Sequence, residues 1–245
     1  MEEEKFSPEK LQKIWDEYAK IYDKLQIVPM YKNLANILVS SLVTCPEGLI
    51  HDGGCGTGHY LKHVLEKTKA KKIIATDISS EMIKKAKEKV KNMPKEYQDK
   101  VEFLQIDLTK NWPNKVFDIQ IFQFLNYLPE DKWKTVIDMA YGSTKQGGYV
   151  YFSTLIKGTN MKRLSRSHTL EQILGISFLD LITSIGSILK ATKIVGVIDN
   201  YVDKGYIILP SREDIMGYCK KVGFSKLEIV GEAIWGYSPV FKLKK

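Results

Sequence analysis

The most informative segment of the chain reads Leu49-Ile50-His51-Asp52-Gly53-Gly54-Cys55-Gly56-Thr57-Gly58-His59-Tyr60. A short apolar run ending in an acid is followed by a glycine-rich turn and the start of a helix. Glycines at positions 54, 56 and 58 let the backbone turn sharply and keep side chains away from a ligand. Asp52 is placed to bind a ligand amine or to order a water. The segment therefore predicts a nucleotide-type site at the carboxyl end of the first strand of an open α/β sheet.

The acid before the glycines separates this turn from the dinucleotide fingerprint. That fingerprint, Gly-x-Gly-x-x-Gly/Ala, would put His59 at its third small position, where a bulky side chain fits poorly between helix and strand. The run from Asp52 to Gly58 resembles motif I of the class I S-adenosylmethionine-dependent methyltransferases, Asp-x-Gly-Cys-Gly-Thr-Gly. A purely structural turn is the alternative for this motif alone. The resemblance implies cofactor contacts at Asp52, Gly53, Gly54 and Gly56.

Two further predicted strands also end in acids. Lys72–Asp77 reads as the second strand, and an acid about 20 residues past the glycines is placed to accept hydrogen bonds from both ribose hydroxyls. Residues 101–108 read as the third strand, and the resemblance implies that Asp107 binds the adenine amino group while the Leu108 N–H binds a ring nitrogen. A surface acid and a helix cap are the respective alternatives. Ile78 and Met82 are placed to pack on the adenine.

A fourth apolar run, Phe117–Phe124, is followed by Leu125-Asn126-Tyr127-Leu128-Pro129. It resembles the family's fourth motif, one residue shorter than the usual form. The resemblance implies that Gln123 and Phe124 border the methyl donor, and the shortening leaves open which of them is closer. The Asn-Pro-Pro-Tyr box of methyltransferases that modify exocyclic amines of nucleic acids is absent from the sequence.

The rest of the chain frames this core. Residues 1–46 read as a helical cover, in which Ala19–Asp23 resembles the family's Ala-x-x-Tyr-Asp element. That element implies a Tyr22 contact with the methionine part of the cofactor; a core aromatic is the alternative. The overall prediction is an α/β fold with a Rossmann-like, seven-stranded, mostly parallel sheet, helices on both faces and a C-terminal antiparallel hairpin. We expect one methyltransferase domain over residues 1–245.

Residues 156–208 read as an insertion on the substrate side. Its segment Ile173–Leu189 carries apolar residues at helical spacing and predicts a lid helix. A helix on a membrane surface and a wall for an apolar substrate are the alternatives, although a surface helix would favour Lys or Arg on its polar face. Basic residues are concentrated just before this segment. They could form a clamp for a phosphate or carboxylate, and a solvated loop is the alternative. The residues concerned are Lys157, Lys162, Arg163, Arg166 and His168.

The composition of the chain bears on its binding partners and on its cellular compartment. The chain has 245 residues, 44% hydrophobic, with a formal net charge of +8. The lysines are spread over helix faces, so no nucleic-acid partner is expected, although the charge is compatible with an anionic substrate or peripheral lipid contact. Three scattered cysteines predict a reducing compartment and no metal site. An acidic start and the lack of a long apolar run predict no signal peptide, no transmembrane segment and a cytoplasmic protein.

Methyl transfer from a sulfonium needs alignment and water exclusion more than it needs acid–base groups. We therefore assign no catalytic residue. His51, His59, His63 and His168 are candidate bases, each more readily explained as structural. The sequence predicts an enzyme that uses S-adenosyl-L-methionine, yields S-adenosyl-L-homocysteine and methylates a small, partly apolar molecule, most similar to quinone- or lipid-type methyltransferases. The alternatives are methylation of RNA or protein, and a non-catalytic scaffold that binds the cofactor.

Overall fold

The computed structural model describes residues 8–25, 29–159 and 200–245. The described helices and strands follow in chain order: α1 (Pro8–Leu25), α2 (Pro29–Ser41), β1 (Leu49–Gly53), α3 (Leu61–Thr68), β2 (Lys72–Asp77), α4 (Ser80–Lys91), α5 (Lys95–Gln98), β3 (Val101–Gln105), β4 (Phe117–Phe122), α6 (Glu130–Ser143), β5 (Thr144–Ser153), α7 (Arg212–Val222), β6 (Lys226–Ala233) and β7 (Ser238–Lys244). Short 3₁₀ turns lie at Leu125–Tyr127 and Ile234–Gly236.

One seven-stranded sheet has the order β3-β2-β1-β4-β5-β7-β6. The first five strands in this order are parallel, and β7 runs antiparallel to both β5 and β6. This confirms the predicted mostly parallel sheet and its terminal hairpin. The strand order reverses between β1 and β4, and a crevice opens at such a reversal beyond the carboxyl ends of the strands.

The central strands are buried on both faces, which explains their nearly continuous apolar sequences. Besides Asp52, His51 is the polar residue of β1, and it is fully buried. Its Nδ1 lies 3.0 Å from Gln120 Oε1 and its Nε2 lies 3.0 Å from Thr76 Oγ1. Burial lowers the pKa of His51 to about 4, against the opposing effect of the Gln120 hydrogen bond. A neutral ring that joins β1 to β2 and β4 agrees with the structural interpretation of this histidine.

The helix boundaries follow local capping signals. Ser79 caps α4, because its side chain accepts a hydrogen bond from the Met82 N–H. Ser211 and Asp214 form a capping box at the start of α7, and Gly223 ends that helix with φ +118°. Ser, Asp and Gly are the residue types that local sequence rules favour at such helix ends. Strand β5 begins at Thr144, directly after α6 ends at Ser143.

Some predictions fall on residues that the structure does not describe. The predicted lid helix Ile173–Leu189 lies outside the described residues, as do Lys162, Arg163, Arg166 and His168. The division into one domain with an insertion at 156–208 therefore stays a prediction. Among the described helices, none is both long and apolar enough to cross a bilayer.

Candidate active site

A cavity lies at the carboxyl ends of the parallel strands, where the strand order reverses. Most of the residues that the sequence predicts for a cofactor line it: Tyr22, Gly54, Gly56, Asp77, Ile78, Met82, Asp107, Leu108, Gln123 and Phe124. Asp52 and Gly53 do not line it. The tips of β1, β2, β3 and β4 and the helix α1 thus meet around one space, as the sequence predicts.

The glycine turn is shaped by its close neighbours. Gly54 has φ +70°, a left-handed conformation that favours glycine, and an added Cβ would lie 2.6 Å from Phe124 Cδ1. Gly53 is confined differently, because a Cβ there would lie 2.5 Å from Phe122 Cε1 and 2.9 Å from Leu108 Cδ1. Gly53 therefore lets β1 pack against these side chains, which is a structural explanation for the residue.

Asp77 is held at the end of β2 by backbone donors. Its Oδ2 accepts from the Gly56 N–H and its Oδ1 from the Ser79 N–H, each at 2.9 Å. Burial raises the pKa of Asp77 to about 6, and the two backbone hydrogen bonds oppose that rise. Asp77 thus ties the glycine turn to the start of α4 while its carboxylate borders the cavity.

Asp107 offers one oxygen to the chain and leaves the other without a hydrogen bond. Its Oδ1 accepts from the backbone N–H of Thr109 at 2.9 Å and from the hydroxyl of Thr109 at 2.7 Å. Its Oδ2 is buried and has no hydrogen-bond partner among the described residues. Lys110 Nζ lies 3.5 Å from that oxygen, which is long for a hydrogen bond. A ligand amino group would satisfy it.

Asp52 is only 2% exposed, and its Oδ2 also has no hydrogen-bond partner among the described residues. Burial, and secondarily the negative charge of Asp77, raises the pKa of Asp52 to about 7. Such a carboxyl changes charge near neutral pH, and a nearby cation would favour its ionised form.

Helix α1 covers the cavity with the rings of Trp15 and Tyr22. Two of its acids attach it to the cofactor side of the sheet. Asp16 accepts from the Ser79 hydroxyl at 2.5 Å and from the Glu81 N–H at 3.3 Å.

Asp23, about two helical turns further along α1 on the same face, makes the second attachment. It accepts from the Thr57 hydroxyl at 2.5 Å and forms an ion pair with Lys89. The other helix of the predicted cover lies elsewhere: Leu38 of α2, and Leu42 directly after it, pack into the main core with Val240 of β7.

Several cavity residues were not predicted from the sequence: Leu11, Trp15, Ile106, Thr109, Tyr127, Leu128 and Lys132. Leu11, Trp15 and Tyr22 lie on one helical stripe, so the apolar face of α1 was the available signal. Tyr127 and Lys132 follow β4 in turns and a helix start, for which the sequence carries no comparable signal. The ring of Tyr127 packs on Trp15 with 4.8 Å between centroids. His59 and His63 are exposed and do not line this cavity.

These groups fit an adenosyl sulfonium. Asp77 and Asp107 border the cavity with acceptor oxygens of the kind that ribose hydroxyls and an adenine amino group need, and Gln123 Nε2 is a buried donor with no partner among the described residues. The rings of Trp15, Tyr22, Phe124 and Tyr127 also line the cavity, and aromatic faces attract cations. The individual cofactor contacts stay predictions.

Comparison with known proteins agrees with this geometry. A family model described as a methyltransferase domain matches residues 50–148, from β1 into β5, and this range contains Asp52, Asp77 and Asp107. The chain belongs to the class I S-adenosylmethionine-dependent methyltransferases. Membership confirms the family that motif I predicts.

Two curated relatives of this methyltransferase are named malonyl-[acyl-carrier protein] O-methyltransferases. One, from Priestia megaterium, is 31% identical over 173 residues, which is 68% of this chain and 58% of the relative. The other, from Ilyobacter polytropus, is 31% identical over 152 residues, 60% of this chain and 51% of the relative. The chain thus spans about half the length of the curated relatives it matches.

A solved DhpI-SAM-HEP complex shares the fold of this methyltransferase. It superposes with a TM-score of 0.63 at 17% identity and covers 97% of both chains. At that identity the likeness concerns the fold alone.

Proposed function

We propose that this chain transfers a methyl group from S-adenosyl-L-methionine to a small, partly apolar acceptor and releases S-adenosyl-L-homocysteine. The reaction is an in-line displacement at the methyl carbon, for which the cofactor supplies an already activated sulfonium donor. The observation that carries the proposal is the cavity bordered by Asp77, Asp107 and the bare turn at Gly54.

The protein's own contribution would be alignment and exclusion of water. The rings of Trp15 and Tyr22 of α1 line the cavity together with those of Phe124 and Tyr127, and Trp15 packs on Tyr127. Holding two reactants in line can lower a barrier by about 7–11 kcal/mol. No catalytic triad or metal is required for this, and we assign no general base.

A carboxylate oxygen is the accepting atom that we favour. The curated relatives are named for O-methylation of a malonyl group on a carrier protein. A carboxylate is already ionised at neutral pH and needs no base, which suits a cavity whose described lining contains no histidine. Segment 156–208 stays the predicted source of acceptor contacts.

Calorimetry with S-adenosyl-L-methionine provides the first test, on the wild type and on Asp77→Ala and Asp77→Asn. We expect binding by the wild type, and a loss of at least tenfold in both variants. A wild type that does not bind the cofactor would end the proposal.

A panel of acceptors with a radiolabelled methyl donor then tests the acceptor class. We expect label in a malonyl thioester, either on pantetheine or on a carrier protein, in preference to phenols and amines. Label that appears only in RNA or in a protein side chain would favour the macromolecular alternative.

A further inference from the structure

Tyr60 lies directly after the glycine turn and contacts the end of another strand. Its hydroxyl donates a hydrogen bond to Oε1 of Gln123, the residue that follows β4. Burial raises the pKa of Tyr60 well above its usual value, and the neighbouring Asp52 adds to the rise. The hydroxyl therefore keeps its proton and can act as a donor to the amide oxygen at any physiological pH.

This hydrogen bond decides which end of the Gln123 amide is available. With Oε1 engaged by Tyr60, the Nε2 group is left as the free end, and it is buried without a hydrogen-bond partner among the described residues. A buried donor with no partner carries a desolvation cost that no hydrogen bond offsets. Gln123 borders the cavity, so a ligand can supply the missing acceptor.

A complementary acceptor lies on the neighbouring strand. Gly53 pairs with Phe122 in the β1–β4 register, so Asp52 and Gln123 flank one paired position at the strand tips. Asp52 Oδ2 is likewise buried and has no hydrogen-bond partner among the described residues. Asp52 does not itself line the cavity, but an unmatched donor on the cavity wall and an unmatched acceptor at the adjoining strand tip together complement an α-amino acid group, which carries a carboxylate and an ammonium.

We propose that Tyr60 is a positioning residue that turns the Gln123 N–H toward the carboxylate of the cofactor's amino-acid end, beside Asp52 as the acceptor for its ammonium. The inference rests on the proposed function, because it needs the same cavity to hold the cofactor. It assigns a role to Tyr60 and a direction to the Gln123 amide.

Two ligands separate this role from a general effect on the cavity. S-Adenosyl-L-homocysteine has the amino-acid end, whereas 5′-methylthioadenosine has the same adenosine and thioether without it. We expect Tyr60→Phe and Gln123→Leu each to weaken calorimetric binding of S-adenosyl-L-homocysteine about tenfold, since hydrogen bonds to charged groups are the stronger ones. Binding of 5′-methylthioadenosine should change by less than about twofold.

Three controls sharpen the test. Gln123→Glu keeps an acceptor for Tyr60 but places a negative charge near the ligand carboxylate, so it should weaken S-adenosyl-L-homocysteine binding more than Gln123→Leu does. The double variant Tyr60→Phe/Gln123→Leu should lose no more than Gln123→Leu alone, because both changes remove one interaction. Tyr97→Phe, which removes a hydroxyl from a half-buried ring on α5, should leave both ligands unaffected.

The outcomes are distinct. Equal weakening of both ligands would mean that Tyr60 shapes the whole cavity, and unchanged binding of both would mean that the hydroxyl does nothing; either overturns the inference and leaves the proposed function standing. A wild type that binds neither ligand ends the proposed function and the inference together. If Tyr60→Phe fails to fold by circular dichroism, Gln123→Leu and Gln123→Glu decide the question.

Discussion

At the scale of single residues, the ends of β1 and β2 carry carboxyl groups that burial makes costly to ionise. Asp52 and Asp77 both have raised pKa values, and burial is the largest cause for each. Only Asp77 is compensated, by two backbone donors. Unmatched polar atoms of this kind are common at binding sites, where the ligand completes them.

Asp52 should make the ligand-free protein less stable as pH rises. Its folded-state pKa is about 7 against an ordinary 3.8, so the folded chain binds more protons than the unfolded chain between these values. The contribution of Asp52 to the free energy of unfolding is then fully present below about pH 4 and is lost as pH rises through 7. The whole effect is about 4 kcal/mol at most.

Urea unfolding at pH 5, 6, 7 and 8 measures this loss. Asp52→Asn should reduce the fall in the free energy of unfolding with pH, and Asp77 should account for the fall that remains. The control Asp203→Asn, at an exposed position, should leave the fall unchanged. A decline of equal slope in wild type and Asp52→Asn would contradict the prediction.

Asp107 should select the amino group of adenine. Asp107→Asn keeps Oδ1 for Thr109 and replaces the free acceptor Oδ2 by an NH₂ donor. The wild type should bind S-adenosyl-L-homocysteine about tenfold more tightly than its inosine analogue, which carries a 6-oxo group. The variant should reverse that preference, as calorimetry would show. An unchanged preference would mean that Asp107 serves only as the cap of its own turn.

At the scale of elements, α1 is the helix whose position should depend on whether the cavity holds a ligand. It covers the cavity with aromatic rings and is attached by Asp16 to the start of α4 and by Asp23 to Thr57 of the glycine turn. Both attachments join α1 to the elements that border the cofactor, so its position and the shape of the cavity are coupled.

Weakening these attachments should speed release of the product cofactor. Asp16→Asn/Asp23→Asn should raise the dissociation rate of S-adenosyl-L-homocysteine severalfold in stopped-flow fluorescence. Glu17→Gln removes the same kind of charge from the exposed face of α1 and should leave the rate unchanged. Equal rates in the double variant and the wild type would show that the ligand leaves without movement of α1.

At the scale of the whole molecule, α2 joins the N-terminal part of the chain to the C-terminal hairpin. A Cβ at Gly231 of β6 would lie 2.6 Å from Ile37 Cγ2, so helix and strand are in close contact there. Neither Ile37 nor Gly231 lines the cavity.

Gly231→Ala should therefore cost stability without changing the site. Overpacking of this kind costs about 1–3 kcal/mol, which chemical unfolding would measure. Gly217→Ala in α7 is the matched control, because its Cβ would meet nothing within 4 Å and alanine favours a helix by up to about 1 kcal/mol. Cofactor affinity of the folded Gly231→Ala protein should equal that of the wild type. A change in affinity would contradict the separation of the two regions.

The sequence alone was sufficient for the parallel sheet, the glycine turn and the order of the acids Asp52, Asp77 and Asp107. These features depend on local patterns: apolar runs that end in an acid, glycines that allow a sharp turn, and capping residues that start helices. Helix α7 with its capping box and the following hairpin were predictable for the same reason.

Only the tertiary structure decided which residues face one another around the cavity. Tyr60 and Gln123 are 63 positions apart, and they meet because β1 and β4 are neighbours in the sheet. The helices α1 and α2 have similar apolar stripes, yet α1 packs over the cavity and α2 against the hairpin. Their sequences alone do not distinguish these two positions. A local pattern specifies that a face will be buried, whereas its partner depends on the path of the whole chain, because packing free energy is nonlocal and has little directional preference.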